Sequence, residues 1–255
     1  MLMEAKNVKF GYQNKEIIED LSVAFQKNKI TSIIGPNGSG KSTLLMLLSR
    51  INHVSSGIVS LNNINVWDYK IKEFARKVAV VHQKNQIYGD LTVKTVVGYG
   101  RLPYLNYHQN LSEEDYQIID WALKTTNLKE FEEQSINNLS GGQQQRVWLA
   151  MALVQKTPIL LLDEPTTYLD VKYQIEILNL IKKINQEYGI TIIMVHHDIN
   201  QAINYSDEIV AMKDGKILFK GEPNKVITSE SLRQLYDYDL KVIDHGNHKI
   251  VLNYQ

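Results

Sequence analysis

Residues 35–43 read Gly-Pro-Asn-Gly-Ser-Gly-Lys-Ser-Thr, and this stretch decides the fold. It fills the pattern Gly-x-x-x-x-Gly-Lys-Ser/Thr, which binds nucleotide phosphates where a strand passes into a helix. The apolar run 31–34 predicts that strand, and the leucine-rich run 44–48 predicts that helix. Backbone N–H groups and the positive end of the helix dipole favour phosphate there. The predicted phosphate site comprises Gly35, Pro36, Asn37, Gly38, Ser39, Gly40, Lys41, Ser42 and Thr43.

Two side chains of this loop carry its chemistry. Lys41 is expected to reach the β- and γ-phosphates, and the Ser42 hydroxyl is expected to ligate the Mg²⁺ that bridges them. A glycine turn that only enters a helix is the alternative interpretation. That alternative leaves the Lys-Ser pair unexplained.

A second anchor is the stretch 158–165, Pro-Ile-Leu-Leu-Leu-Asp-Glu-Pro. Consecutive aliphatic residues predict a strand buried on both faces, and two carboxylates follow at its end. Neighbouring carboxylates there are costly unless a cation or a reaction uses them. Asp163 suits contact with magnesium, and Glu164 suits deprotonation of a water that attacks a γ-phosphate. Structural ion pairing is the alternative.

Two further apolar runs end in polar residues. The run 78–81 leads to Gln83, whose carbonyl can ligand magnesium and whose amide can orient the attacking water. An ordinary surface glutamine is the alternative. The run 190–195 leads to His196 and His197, and an imidazole there can hydrogen bond the γ-phosphate. Metal binding by this pair is disfavoured, because adjacent residues of an extended chain diverge.

Residues 139–143, Leu-Ser-Gly-Gly-Gln, lead into apolar residues at helical spacing. Two glycines at a helix start again expose backbone N–H groups, so a second phosphate site is predicted at Ser140, Gly141, Gly142 and Gln143. A helix entry without a ligand is the alternative. Tyr12, in the predicted turn 11–14, offers a ring that can stack on a base, or is an ordinary turn tyrosine.

The 255 residues are expected to form one α/β domain, 1–255, without an independent second domain. The alternating runs 3–10 and 17–25 predict an antiparallel strand pair ahead of the loop, and Asp214-Gly215 predicts a later hairpin. Helical patterns dominate from residue 85 to 138. We interpret about residues 85–156 as a helical subdomain inserted into the sheet domain. Residues 222–255 predict short helices and two small strands, without assignable chemistry.

Composition limits the partners. Lys+Arg and Asp+Glu both number 28, so nothing favours nucleic acid as a partner. The absence of cysteine excludes disulfides and thiolate metal sites. We recognise no secretory signal and no apolar run long enough to span a bilayer, so a membrane role is expected to come through a partner.

Taken together in this order, the loop, Gln83, residues 139–143, Asp163-Glu164, Asp170 and His197 resemble the nucleotide-binding subunit of ATP-binding cassette (ABC) transporters. The resemblance covers nearly the whole chain. It implies a P-loop NTPase fold with a RecA-like core sheet, an antiparallel β subdomain and an inserted helical subdomain, and it implies ATP and Mg²⁺ as ligands. It also implies roles: Gln83 as the Q-loop glutamine, 139–143 as the signature, Asp170 as the D-loop aspartate, His197 as the switch histidine and Tyr12 as the adenine-stacking aromatic.

The family resemblance further implies a head-to-tail dimer with a second copy, in which the signature of one chain closes over the nucleotide of the other. The stretches 91–93, 100–104 and 197–202 resemble the importer branch for iron–siderophore, haem and cobalamin uptake. That branch implies permease subunits at the cytoplasmic face of the membrane, an extracellular substrate-binding protein, and most readily a ferric siderophore as cargo. The alternatives are a soluble ABC ATPase of translation or DNA repair, and a transporter for another cargo such as manganese, zinc or an exported lipid.

Overall fold

The computed structural model describes residues 2–13, 15–83, 85, 87, 89–106, 109–246 and 248–252. Strands and helices alternate through most of this chain, as the sequence predicts for an α/β fold. The strands are β1 Met3–Tyr12, β2 Lys15–Phe25, β3 Ile30–Ile34, β4 Ser56–Leu61, β5 Ile64–Asn65, β6 Val78–Val81, β7 Ile159–Asp163, β8 Thr191–Val195, β9 Glu208–Lys213, β10 Lys216–Gly221, β11 Lys241–His245 and β12 His248–Leu252. The helices are α1 Lys41–Leu48, α2 Ile71–Ala75, α3 Val93–Gly98, α4 Glu113–Thr125, α5 Gly141–Leu153, α6 Val171–Tyr188, α7 Ile199–Tyr205, α8 Pro223–Val226 and α9 Ser229–Tyr236, with 3-10 turns at Tyr99–Tyr104, Lys129–Phe131 and Ile136–Asn138.

The chain divides into two compact units, of which the first combines Met1–Tyr69 with Thr191–Gln255. This unit contains an antiparallel sheet in the order β2-β1-β4-β5, which confirms the predicted strand pair ahead of the loop. It also contains β10-β9-β3-β8, in which β3 lies parallel to both β8 and β9. Every residue of β3 and β8 is buried, because parallel strands are covered on both faces.

The C-terminal segment of the first unit packs on the end of β3. Leu232 and Leu235 of α9 share one core cluster with Ile34, the last residue of β3. Asn200 of α7 clamps β12, because its side chain accepts a hydrogen bond from the Val251 N–H (2.8 Å) and donates one to the Val251 carbonyl (3.0 Å). The predicted short helices and two small strands are therefore confirmed, and they belong to the core that supports the loop.

The second unit, Lys70–Ile190, contains the parallel pair β6 and β7 and the helices α2 to α6. Within it, α3, α4 and α5 pack on one another. The predicted bounds of the inserted helical subdomain, about residues 85–156, lie within this unit and stay a prediction. No helix among the described residues is long and apolar enough to cross a bilayer.

Candidate nucleotide site

The loop between β3 and α1 has a backbone that only glycine adopts easily. Gly38 and Gly40 have φ of 80° and 94°, in the left-handed region, and Gly40 is the N-cap of α1. The Gly215 N–H in the β9–β10 hairpin donates a hydrogen bond to the Ser39 carbonyl (3.2 Å). The loop therefore has a defined shape at the start of a helix, where phosphate binds.

Lys41 and Ser39 line this loop with buried polar groups. The Lys41 ammonium donates hydrogen bonds of 2.9 Å to the carbonyls of Gly35 and of Pro36. The Ser39 hydroxyl is buried and has no hydrogen-bond partner within the part of the chain that the structure describes. An unpartnered buried hydroxyl costs about 1–3 kcal/mol, so this group fits a loop that binds a polar ligand. ATP phosphates satisfy that requirement.

The predicted ligands of Mg²⁺ can be judged by the atoms that they offer. Ser42, Gln83 and Asp163 all offer oxygen atoms, which Mg²⁺ prefers over nitrogen and sulfur. Ser42 lies in the first turn of α1, and Asp163 is the last residue of β7 and is buried. The chemistry of each of these side chains fits the ion.

Tyr12 lies at the end of β1, and this corrects the sequence prediction. The predicted turn 11–14 is shorter, because Gly11 and Tyr12 continue the strand and pair with Glu16 and Lys15 of β2. Asn14 lies outside the described residues. Tyr12 is 49% exposed, so part of the residue remains accessible to a ligand.

The two adjacent histidines after β8 have different surroundings. His196 is buried, and its backbone N–H donates a hydrogen bond to the Ile33 carbonyl (3.0 Å). Burial lowers the pKa of the His196 imidazole to about 4, while the nearby Asp198 carboxylate acts in the opposite direction. His197 is exposed. These positions support His197 over His196 as the residue that contacts phosphate.

Gln83 and Glu164 meet within the second unit. They follow β6 and β7, which are parallel, so the two carboxyl ends lie at the same edge. The Gln83 amide donates a hydrogen bond to Glu164 Oε2, and the Thr167 hydroxyl donates one to the same oxygen (3.1 Å). Glu164 has a φ of 50°, a left-handed conformation that costs a non-glycine residue about 1–2 kcal/mol. Thr167 was not predicted from the sequence.

The signature residues begin α5. Ser140 is the N-cap and forms a capping box with Gln143: the Ser140 N–H donates to the Gln143 side chain (2.9 Å), and the Ser140 hydroxyl accepts from the Gln143 N–H (3.4 Å). Ser140 and Gly141 are exposed. Gly142 is buried, and a Cβ there would lie 2.9 Å from the Tyr173 ring, so the helix start packs closely on α6.

Asp170 is the N-cap of α6, and it is exposed. Its carboxylate makes no capping hydrogen bond within the described part of the chain. Tyr168, two residues earlier, has a φ of 66° and is 80% exposed. The segment between β7 and α6 therefore presents polar and aromatic groups outward.

The stretch 100–104, which resembles the importer branch, is used largely for packing. A Cβ at Gly100 would lie 2.1 Å from the Met151 carbonyl, so only glycine fits. Arg101 is buried and forms a 2.7 Å ion pair with Asp115 of α4. Burial raises the pKa of Asp115, but hydrogen bonds from Ser112 and Arg101 and the Arg101 charge lower it further, below its usual value. Leu102 remains 56% exposed.

The fold and these groups define a P-loop nucleotide-binding protein of the α/β class. A family model described as "ABC transporter" matches residues 18–167. The chain is 43% identical over 241 residues to the iron(3+)-hydroxamate import ATP-binding protein FhuC of Bacillus subtilis (strain 168), covering 94% of this chain and 90% of that protein. It is 39% identical over 241 residues to the petrobactin import ATP-binding protein FpuC of Bacillus anthracis, covering 94% and 89%.

A solved structure extends the comparison. The ATP-binding cassette MJ0796, in a dimeric post-hydrolysis state with ADP and Pi bound, is similar with a TM-score of 0.73 and 32% identity, covering 87% of this chain and 98% of that one. The chain belongs to the ABC transporter family, as one of its ATP-binding cassettes, and it is an ATPase. Its α/β fold with an antiparallel strand subdomain is the cassette fold that the sequence predicts.

Proposed function

We propose that this chain is the ATP-hydrolysing subunit that powers uptake of a ferric siderophore through a membrane permease. The observation that carries the proposal is the match to two import ATP-binding proteins, one named for iron(3+)-hydroxamate and one for petrobactin, over nearly the whole of each chain. Because the similarity extends along nearly the full length of both chains, it favours the same role, that of an ATP-binding subunit of an importer. It also favours transport over the soluble alternatives in translation and DNA repair.

Hydrolysis requires that phosphate be bound and water be activated. In this proposal residues 35–43 bind the phosphates, and the Lys41 ammonium moves from the loop carbonyls to phosphate oxygens. Ser42, Gln83 and Asp163 hold Mg²⁺, which when bound neutralises charge on the phosphates. These three side chains supply oxygen atoms, which are the ligands that Mg²⁺ prefers.

Glu164 is the proposed general base. Its Oε2 accepts hydrogen bonds from Gln83 and Thr167, which orient the carboxylate that receives the proton of the attacking water. His197 donates a hydrogen bond to the γ-phosphate. The exposed position of His197 supports this role, whereas the buried His196 is a packing residue.

A second copy of the chain completes each site. We assign Ser140, Gly141, Gly142, Gln143 and Asp170 to contacts with the nucleotide bound by the partner copy, in a head-to-tail dimer. The exposure of Ser140, Gly141 and Asp170 supports this assignment, as does the dimeric structure of the similar cassette. Gln143 holds Ser140 through the capping box, because its side chain accepts a hydrogen bond from the Ser140 N–H and its backbone N–H donates one to the Ser140 hydroxyl.

The permease is proposed to bind at Tyr99 and Leu102, two of the exposed apolar residues of the second unit. Tyr99 and Leu102 lie in the 3-10 turn Tyr99–Tyr104, and they are 42% and 56% exposed beside buried Gly100 and Arg101. Rigidly held apolar side chains at a surface are typical of a docking site. The chain would then lie on the cytoplasmic face of the membrane, with a substrate-binding protein acting on the outside.

The test is recovery of partners from the native membrane. A tagged Glu164→Gln chain is purified in mild detergent with ATP and magnesium, beside a Glu164→Gln/Leu102→Asp chain as the matched control. We expect a polytopic permease to be recovered with the first chain and to be depleted with the second. A substrate-binding protein encoded with that permease is then assayed for ferric hydroxamate and ferric catecholate binding.

Recovery of ribosomes or DNA-repair proteins in place of a permease would contradict the transport proposal. Recovery of a permease whose binding protein binds manganese, zinc or a vitamin and no iron chelate would contradict the proposed ferric siderophore cargo but not the transport function. Equal recovery of the permease with the Leu102→Asp control would contradict the proposed docking site but not the proposed transport function.

A further inference from the structure

Tyr12 offers a partly exposed ring that is held on several sides. Its ring packs edge-on with Phe10 of the same strand, with centroids 4.9 Å apart and planes at 89°. Phe10 is buried, so this neighbour is fixed in the core. A ring held in one orientation loses less conformational entropy when a ligand stacks on it than a freely rotating ring would.

The Tyr12 hydroxyl is anchored to the segment after α1. The Asn52 amide donates a 2.8 Å hydrogen bond to the phenol oxygen. The phenol O–H in turn points to the Met46 sulfur at 3.9 Å, a weak acceptor. Both the acceptor and the donor capacity of the hydroxyl are thus used by protein groups.

Asn52 is itself fixed to α1. Its backbone N–H donates a hydrogen bond to the Met46 carbonyl (3.2 Å), and the Ile51 N–H donates to the same carbonyl (2.9 Å). Since α1 begins at Lys41, one rigid helix links the phosphate loop to the support of the Tyr12 ring. The distance between the ring and the phosphate loop is therefore set before a ligand binds.

We infer that Asn52 is a positioning residue for base recognition: it anchors the Tyr12 hydroxyl to α1 and thereby holds the ring where a purine base stacks. This inference rests on the proposed role of Tyr12 in binding ATP. Asn52 does not itself touch the nucleotide. Its effect falls on the base and spares the triphosphate, because the loop that binds phosphate does not depend on the Asn52 side chain.

The experiment compares two probes on the full-length chain by titration calorimetry: ATP, and inorganic tripolyphosphate, which has no base. Asn52→Leu removes the donor at similar volume, and Tyr12→Phe removes the hydroxyl and keeps the ring. We expect each variant to weaken ATP binding about three- to tenfold and to leave tripolyphosphate binding unchanged. The double variant should be no weaker than the weaker single variant, because both remove one interaction.

Two controls separate the possible causes. His53→Leu changes the same exposed segment, and His53 contacts Trp67 instead of Tyr12, so ATP binding should not change. Tyr12→Ala removes the ring and should weaken ATP binding about tenfold or more.

If Tyr12→Ala weakens ATP binding while Asn52→Leu and Tyr12→Phe bind ATP normally, the positioning role of Asn52 is wrong and base stacking stands. If Tyr12→Ala has no effect, the proposed role of Tyr12 fails and the inference fails with it. An equal loss of tripolyphosphate affinity in Asn52→Leu would show a general disturbance of α1, which also overturns the inference.

Discussion

Glu164 combines a left-handed backbone with a carboxylate that accepts hydrogen bonds from Gln83 and Thr167. We expect Glu164→Gln to lower the rate of ATP hydrolysis about 10²-fold or more, because an amide cannot accept the proton from water. Phosphate release measures the rate, and parallel nucleotide binding should show that ATP is still bound. Glu187→Gln, an exposed change on α6, should leave hydrolysis unchanged. Full turnover in Glu164→Gln would remove this residue from the base role.

His196 provides a prediction on pH. Its folded-state pKa of about 4 lies below its ordinary value of 6.5, so the folded state binds a proton less readily than the unfolded state does. Stability is therefore undiminished above pH 6.5 and falls as the pH decreases from 6.5 towards 4, by up to about 3 kcal/mol. Urea unfolding of the His196→Leu variant should show a smaller loss over this range than the unchanged chain. An identical pH dependence in both would contradict the assignment.

The roles of Asn52 and Thr167 could not be predicted from residue patterns in the sequence. The loop glycines, Lys41 and the carboxylates after β7 are recognisable because their spacing along the chain reports their chemistry. Asn52 is 40 residues from Tyr12, and its role depends on where the segment after α1 ends. Thr167 lies near Glu164 in the chain, but only the left-handed turn at Glu164 directs its hydroxyl to the carboxylate.

At the scale of elements, the ion pair of Arg101 and Asp115 joins the 3-10 turn Tyr99–Tyr104 to the start of α4, and Arg101 also donates to the Val154 carbonyl (2.7 Å) just after α5. Both side chains are 8% exposed. We expect Arg101→Met to reduce the free energy of unfolding by about 3–5 kcal/mol, because it leaves a buried carboxylate unpaired. Urea denaturation measures this change.

The double variant Arg101→Met/Asp115→Leu tests the cause of that loss. It removes both charges, so we expect it to regain part of the lost stability. Exposed Lys124 and half-buried Asp120 form an ion pair on the same helix, and as the control Lys124→Met should change stability by less than about 1 kcal/mol. A double variant no more stable than Arg101→Met would show that the charge is not the cause.

Element bounds were predictable wherever one physical signal dominated. The apolar run 78–81, for example, is β6. The end of β1 was not predictable from the sequence. Gly11 and Tyr12 stand next to residues typical of turns, yet they pair with β2. On α6, Ile181 is buried whereas the adjacent Leu180 is only partly buried, since the packing of neighbours decides between adjacent apolar positions.

At the scale of the whole molecule, the proposed dimer makes each site depend on two chains. Lys41→Ala and Ser140→Arg chains should each lack ATP hydrolysis. A mixture should regain part of it, because mixed dimers contain one site with an intact Lys41 from one copy and an intact Ser140 from the other. Phosphate release from mixed and separate samples measures this. A mixture of Lys41→Ala with Lys41→Ala/Ser140→Arg is the control and should stay inactive; an inactive first mixture would contradict action across the dimer.

Fold class and nucleotide chemistry follow from the sequence, because a strand, a glycine loop and a helix in succession admit few other interpretations. The cargo does not follow in the same way. Of the three stretches that resemble the importer branch, 100–104 serves chiefly to pack Gly100 against Met151 and to bury Arg101, and neither contact concerns a transported molecule. In the proposed transporter the permease carries the cargo, so the residues of this subunit give only indirect information about it.

The left-handed backbone at Glu164 sets stability and turnover against each other at one position. Glycine or asparagine would adopt that conformation at a lower backbone cost than glutamate does, but either would remove the carboxylate that accepts hydrogen bonds from Gln83 and Thr167. Such a chain would keep its phosphate loop and lose the proposed base. Selection for heat resistance alone therefore does not protect turnover at this residue, and a screen for a more stable variant must measure turnover from the first round.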